Sequence, residues 1–200
     1  MISFTNIRSN CKNAKLLSDW RSSSYLQNRS LTTIKLNLRN QITWLKNSSK
    51  KNDYCHWFIK FKKKKIGWIC ITEPDFLTSS IRWGYYVGEK KYQYLGSIVP
   101  LYLYNFIFLK LNYKLIIAET LSNNINMARV LKFHGFKRIK IIKSFLLRNE
   151  RYLDKYNFNL SKENWIKQKK FHSYNYDFKM TNTKKKFFTV KKKKFSVIFK

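Results

Sequence analysis

The sequence predicts an α+β fold: a central mixed, mostly antiparallel sheet of about seven strands flanked by about four helices. Three observations predict it. Across residues 81–136 the chain reads strand, basic turn, helix, strand, helix, its apolar periodicity switching between the strand and helix repeats. Ahead of that block, Tyr54–Phe61 and 66–72 are two apolar runs about a cationic stretch, the pattern of a hairpin. Behind it, Lys137–Arg148 and 156–161 are two more extended runs about a turn at 149–154.

Taken in order, residues 2–7 form an opening strand, and Leu16, Leu17 and Trp20 form the stripe of a short helix over 13–21. A polar, Ser-rich loop at 22–28 follows. Leu36, Leu38, Ile42 and Leu45, with Trp44, predict a second helix over 34–46. After the polar loop 46–53 comes the hairpin, whose four tip lysines, Lys62 to Lys65, fit a solvated turn better than a phosphate contact. Pro74 is expected to end the second hairpin strand, and 73–80 leads to the strand 81–87, bounded by Gly88. The turn 89–96 precedes a long apolar helix, opened by Ser97 and running to about Leu111, with Pro100 in its first turn, where helix N–H groups lack intrahelical partners. Residues 114–120 are a short strand and 124–136 a second helix closed by Gly135. Trp165 is the last residue assigned to the domain, which gives a globular unit over 1–166 and a Lys- and Phe-rich, poorly ordered extension over 167–200.

Lys and Arg number 42 against 10 Asp and Glu, a formal charge of +32 that by itself points to nucleic acid or an anionic membrane. Composition gives a plainer cause. Lys, Asn, Ile, Phe and Tyr, all encoded by adenine- and thymine-rich codons, make up 100 of the 200 residues. The basicity is global, and the extension, with 12 Lys and one acid, adds a nonspecific attraction for polyanions. Three cysteines, Cys11, Cys55 and Cys70, contain no paired spacing, which argues against a disulfide framework and a metal site and for a reducing cytoplasm. The apolar stretch 98–108 is too short to span a bilayer, so no transmembrane segment is expected, and the amino terminus lacks a signal-peptide pattern.

The phosphate-binding potential lies where a helix starts straight after a strand, because its first N–H groups are unpaired and its dipole favours an anion. Here that turn is Lys91-Tyr92-Gln93-Tyr94-Leu95-Gly96, and the second helix reads Asn124-Ile125-Asn126-Met127-Ala128-Arg129-Val130-Leu131-Lys132-Phe133-His134-Gly135-Phe136. These pieces resemble the GNAT family of N-acetyltransferases over about residues 1–166. Leu17-Ser18-Asp19-Trp20-Arg21, Trp83-Gly84-Tyr85-Tyr86-Val87-Gly88, Tyr152-Leu153-Asp154 and Trp165 are similar to the sugar-nucleotide N-acetyltransferases of pseudaminic acid synthesis. Three positions depart from the pattern. Tyr94 stands for the middle glycine of the turn, Leu131 for the tyrosine that protonates the leaving thiolate, and Gln41 for a histidine of the sugar-nucleotide group.

The resemblance implies acetyl-CoA as co-substrate without a metal. Val87, Lys91, Leu95, Gly96, Ser97 and Asn124 would hold it, and Glu119, at the end of its strand, would be the general base. It also implies an acceptor pocket of Trp20, Arg21, Tyr85 and Tyr86 for a UDP-linked amino-dideoxy sugar, and allows a homodimer. Direct attack of an amine on a thioester needs no covalent intermediate, so the lack of a nucleophilic triad is consistent. The other readings are an acetyltransferase for protein amino termini, such as those of ribosomal proteins, and a degenerate acetyltransferase fold that binds nucleic acid through its basic surface.

Overall fold

The computed structural model describes residues 1–32, 37–172, 176–181, 188–189 and 196–197. The chain begins with β1 (Ile2–Asn6), α1 (Cys11–Ser22), the short α2 (Ser24–Gln27) and α3 (Leu38–Lys50). Asn10 starts α1 by accepting from Asn13 N at 2.9 Å, and Asn37 starts α3 by accepting from Arg39 N at 2.9 Å, as short polar side chains do at helix caps. β2 (Tyr54–Phe61), β3 (Lys64–Asp75) and β4 (Ser80–Val87) follow as an antiparallel meander. A 3-10 segment, Lys90–Ser97, leads into α4 (Val99–Asn105), β5 (Leu115–Leu121) and α5 (Ile125–Phe133). β6 (Lys137–Arg148), β7 (Arg151–Ser161), α6 (Lys162–Lys167), α7 (Lys169–His172) and β8 (Met180–Thr181) complete the main sheet, and Phe188–Thr189 pairs separately with Ser196–Val197.

The sheet order is β6-β7-β5-β4-β3-β2-β1-β8, antiparallel except where β4 meets β5 and β1 meets β8. This is the expected mixed sheet. Alternation along β2 covers both its faces: Trp57 and Ile59 enter the larger cluster with α4, while Phe58, between them, joins Leu17, Trp20 and Leu45 of α1 and α3. Helices therefore lie on both sides. The tip of the β2–β3 hairpin is two residues, Lys62 and Lys63, at φ 46° and 66°, the left-handed sense that fits a tight hairpin turn.

Several expectations need correction. Pro74 does not end its strand, because β3 reaches Asp75 through a bulge in which Glu73 adopts φ 49° and the ladder loses pairs the proline cannot make. The long apolar helix opens at Val99 rather than Ser97, since Pro100 sits best in a first turn, and Phe106–Lys110 forms a π-turn in which Leu111 N donates to Phe106 O. It is buried against the sheet as expected; among the described residues no helix is long and apolar enough to cross a membrane. Gly135 closes α5 with φ 91° as anticipated.

Packing also continues past the expected boundary at 166. Phe171 stacks on the buried Trp165, and Phe178 stacks on Phe4 at 3.8 Å and on Phe106 at 4.7 Å. Burial of those two rings joins 168–172 and 176–181 to the core through apolar area that the lysines around them conceal in the sequence. The expectation of poor order falls mostly on residues outside the described set.

His134 is a core residue. Its ring lies among those of Tyr104, Phe133 and Phe171, and burial pushes its pKa down to about 4.

Two outcomes are expected. Phe178→Ala should cost about 3 kcal/mol in urea denaturation, because it empties a ring from a sealed aromatic stack. His134, ordinary near 6.5 and about 4 when folded, binds its proton more readily in the unfolded chain. Its contribution is therefore whole above pH 6.5 and is lost as pH falls toward 4, by up to about 3 kcal/mol. Denaturation curves across that window should fall less steeply for His134→Leu than for the parent.

Candidate functional site

β4 and β5 pair over three positions, Ser80 with Leu115, Ile81 with Ile116 and Arg82 with Ile117, and then part. Beyond Arg82, residues 83–87 keep β3 on one edge while 118–121 keep β7 on the opposite edge. The facing edges have no ladder partner in the described sheet, so their N–H and C=O groups are available to a ligand. A cleft of about 670 Å³ fills the gap, within the size range of small-ligand sites. Because it passes through the sheet, side chains from both faces of β4 line it: Arg82 and Tyr86 on one, Trp83, Tyr85 and Val87 on the other.

The floor carries a four-membered charge chain. Arg82 meets Glu73 at 3.0 Å and Glu119 at 3.0 Å, and Lys155 meets the same Oε1 of Glu119 at 3.1 Å while lying over the Phe145 ring at 4.3 Å. Glu119 thus sits where β5 leaves β4, oriented through one oxygen by two cations. One flank is set by α2 and the loop after it: Arg29 stacks 4.1 Å from the Tyr25 ring, and Arg21 donates to Thr32 Oγ1 at 3.1 Å. On the other, the Tyr85 hydroxyl donates to Gly96 O at 2.6 Å, and burial raises its pKa, so the phenol stays protonated. Tyr86 stacks on Trp68, and its pKa is likewise raised by burial.

The residues expected in the site divide. Arg21, Tyr85, Tyr86, Val87, Gly96, Ser97, Glu119 and Asn124 all line the cleft. Asn124 is also the cap of α5, accepting from Met127 N at 3.3 Å. Trp20 does not reach the cleft: it is buried against Phe58 and Tyr86, and its indole N–H donates to Glu89 at 3.1 Å. It also presses on Gly88, where an added Cβ would lie 2.2 Å from the indole, so only glycine fits there. Leu95 turns its side chain into the core, which leaves only its backbone to offer, and Lys91 is exposed outside the cleft lining. Tyr94 stands 64% exposed at the cleft rim, and Leu131, in the position of the family's tyrosine, is sealed in the core.

Arg82, Glu73, Arg29 and Lys155 were missed. Arg82 alone left a signal, two residues before the glycine of the Trp-Gly-Tyr strand and on the same face. Cysteine chemistry has no place here: burial pushes Cys70, behind Gly84, up to about 12.

Residues 12–137 match the family model described as Acetyltransferase (GNAT) domain. No curated protein matches. Among solved structures, the chain resembles a spermidine N-acetyltransferase chimera from Vibrio cholerae and hSSAT, with TM-score 0.73 and 10% identity over 84% of this chain and 99% of that one. A probable acetyltransferase of the GNAT family from Chromobacterium violaceum superposes with TM-score 0.70 and 14% identity over 82% and 90% of the two chains. A dodecameric spermidine N-acetyltransferase from Vibrio cholerae does so with TM-score 0.69 and 12% identity over 82% and 96%. At such identities these likenesses speak for the fold. With well over half of its length matched by the domain model and its sheet parted at the position of the cleft, the chain belongs to the GNAT acetyltransferase family and is an acyltransferase.

Proposed function

We propose that the enzyme moves the acetyl group of acetyl-CoA to the 4-amino group of a UDP-linked amino-dideoxy sugar, a step of pseudaminic acid synthesis for flagellin glycosylation. The observation that carries this reading is the flank on which Arg21 and Arg29 lie beside Tyr25, Trp68 and Tyr86. Guanidinium groups suit a diphosphate, and aromatic faces suit a uracil or a pyranose ring. Spermidine, the substrate named for the Vibrio cholerae neighbours, is a polycation; Arg21 and Arg29 on this flank and a formal charge of +32 oppose its approach, Arg82 being matched by Glu73 and Glu119. Three cysteines, an odd number with no paired spacing, support a reducing cytoplasm as its setting.

In this reading the pantetheine arm lies along the unpaired edge of β4 beside Val87, and the backbone of Gly96 and Ser97 receives the pyrophosphate. Lys91, exposed beside that turn, supplies long-range charge to it. The amine attacks the thioester carbon and the C–S bond breaks as the C–N bond forms. The amine's proton passes to Glu119 directly or through a water, with Arg82 and Lys155 holding the carboxylate in place. Backbone N–H groups near Val87 polarise the carbonyl. A thiol of pKa about 8.5 departs as thiolate without a protein acid, which accommodates Leu131.

The test is mass spectrometry of acceptor mixtures incubated with labelled acetyl-CoA. The sugar nucleotide should be acetylated with kcat/KM at least about tenfold above spermidine, a difference of about 1.4 kcal/mol; preference for spermidine would overturn the reading. Glu119→Gln should lower kcat by about 10²-fold while acetyl-CoA still raises the melting temperature as in the parent. Arg21→Ala combined with Arg29→Ala should act chiefly on KM for the acceptor.

A further inference from the structure

Residues 24–32 enter the cleft wall from one half of the molecule and are fastened to the other. Their half comprises β1 to β4 with α1 and α3; the opposite half comprises β5 to β7 with α5. Within the sheet the halves are joined by the three β4–β5 pairs at the closed end of the gap. At the open end, Asn123, in the turn before α5, donates from Nδ2 to Asn28 O at 2.8 Å. Arg148, the last residue of β6, donates from Nη1 to Gln27 O at 2.5 Å and to Ser30 O at 2.9 Å. Three carbonyls at the end of α2, where intrahelical partners run out, are thereby satisfied from across the cleft. The segment so tied supplies Tyr25, Leu26, Arg29, Ser30, Leu31 and Thr32 to the lining.

We infer that Arg148 and Asn123 are positioning residues that hold the 24–32 strap across the open end of the gap, and that this confines the acceptor to small molecules. The inference rests on the reading of this cleft as the acceptor site. A protein amino terminus needs an outlet through which the rest of its chain can leave the site extended, whereas a strap tied to both halves bounds the chamber at a size that suits a small ligand. Small size, rather than charge alone, then separates the sugar-nucleotide acceptor from protein amino termini.

The experiment compares the full-length parent with the Arg148→Ala/Asn123→Ala double variant and with Arg148→Lys. Amide exchange at 24–32 should quicken at least about tenfold in the double variant, a local opening with the melting temperature and the stabilisation by acetyl-CoA little changed. Acetylation of a short peptide amine, scored against whichever small amine the parent turns over, should rise by at least about tenfold in ratio, mainly through KM for the small amine. Arg148→Lys, which keeps one donor, should lie between the two and gives the answer should the double variant fail to fold. Unchanged exchange at 24–32, or a parent that acetylates peptide and small amine equally well, would overturn the inference. The exchange measurement does not depend on the acceptor's identity, so failure of the sugar-nucleotide reading and failure of the strap are told apart.

Discussion

A parallel strand pair ordinarily runs the length of the shorter strand, since each ladder bond left unmade strands a donor and an acceptor. The β4–β5 pair stops after three positions, and most of the molecule's arrangement follows from that. β4 stays flat against β3 as far as Val87, β5 stays against β7 as far as Leu121, and the wedge between them is both the cleft and the reason residues from opposite faces of one strand meet in it. Such a wedge is stable only if both outer ladders are strong. The β2–β3–β4 meander on one side and the β5–β7–β6 set on the other provide them.

Electrostatics then assign the two sides of the wedge different work. With ten acids in the whole chain, the coincidence of Glu73 and Glu119 on one guanidinium is notable because lysines elsewhere compete for every carboxylate. Arg82 is held between them, and Lys155, 14% exposed at its side chain, completes the chain, which runs from the exposed Glu73 inward to the more buried Glu119. The surface pairs, such as Lys15 with Asp19, are solvated and contribute little.

Local rules carried the sequence far, and they failed where partners lie far apart along the chain. The hairpin, the glycine closing α5 and seven of the eight strands of the main sheet all follow from neighbours a few residues away. Trp20 shows the limit: helical spacing establishes that it is buried, but its partner Glu89 is 69 residues on, and nothing local distinguishes a ring that lines a pocket from one that closes a core. Arg148 is a second case, since a basic residue at a strand end in a chain so rich in lysine carries no signal until its contacts with Gln27 and Ser30 are seen. The helix start moved from Ser97 to Val99 because one proline outweighed a run of turn residues.

The parallel pairing of β8 with β1 has a consequence for how the chain is made. β1 precedes β8 by every other strand of the main sheet, so Phe4 gains the stacked ring of Phe178 only after those strands have been made. Until β8 is made, therefore, the β1 edge that it covers carries unpaired backbone groups beside a ring face that Phe178 has yet to cover, a ready template for pairing with another chain. Loss of everything after Trp165 would leave every catalytic candidate in place and the β1 edge without the strand that seals it.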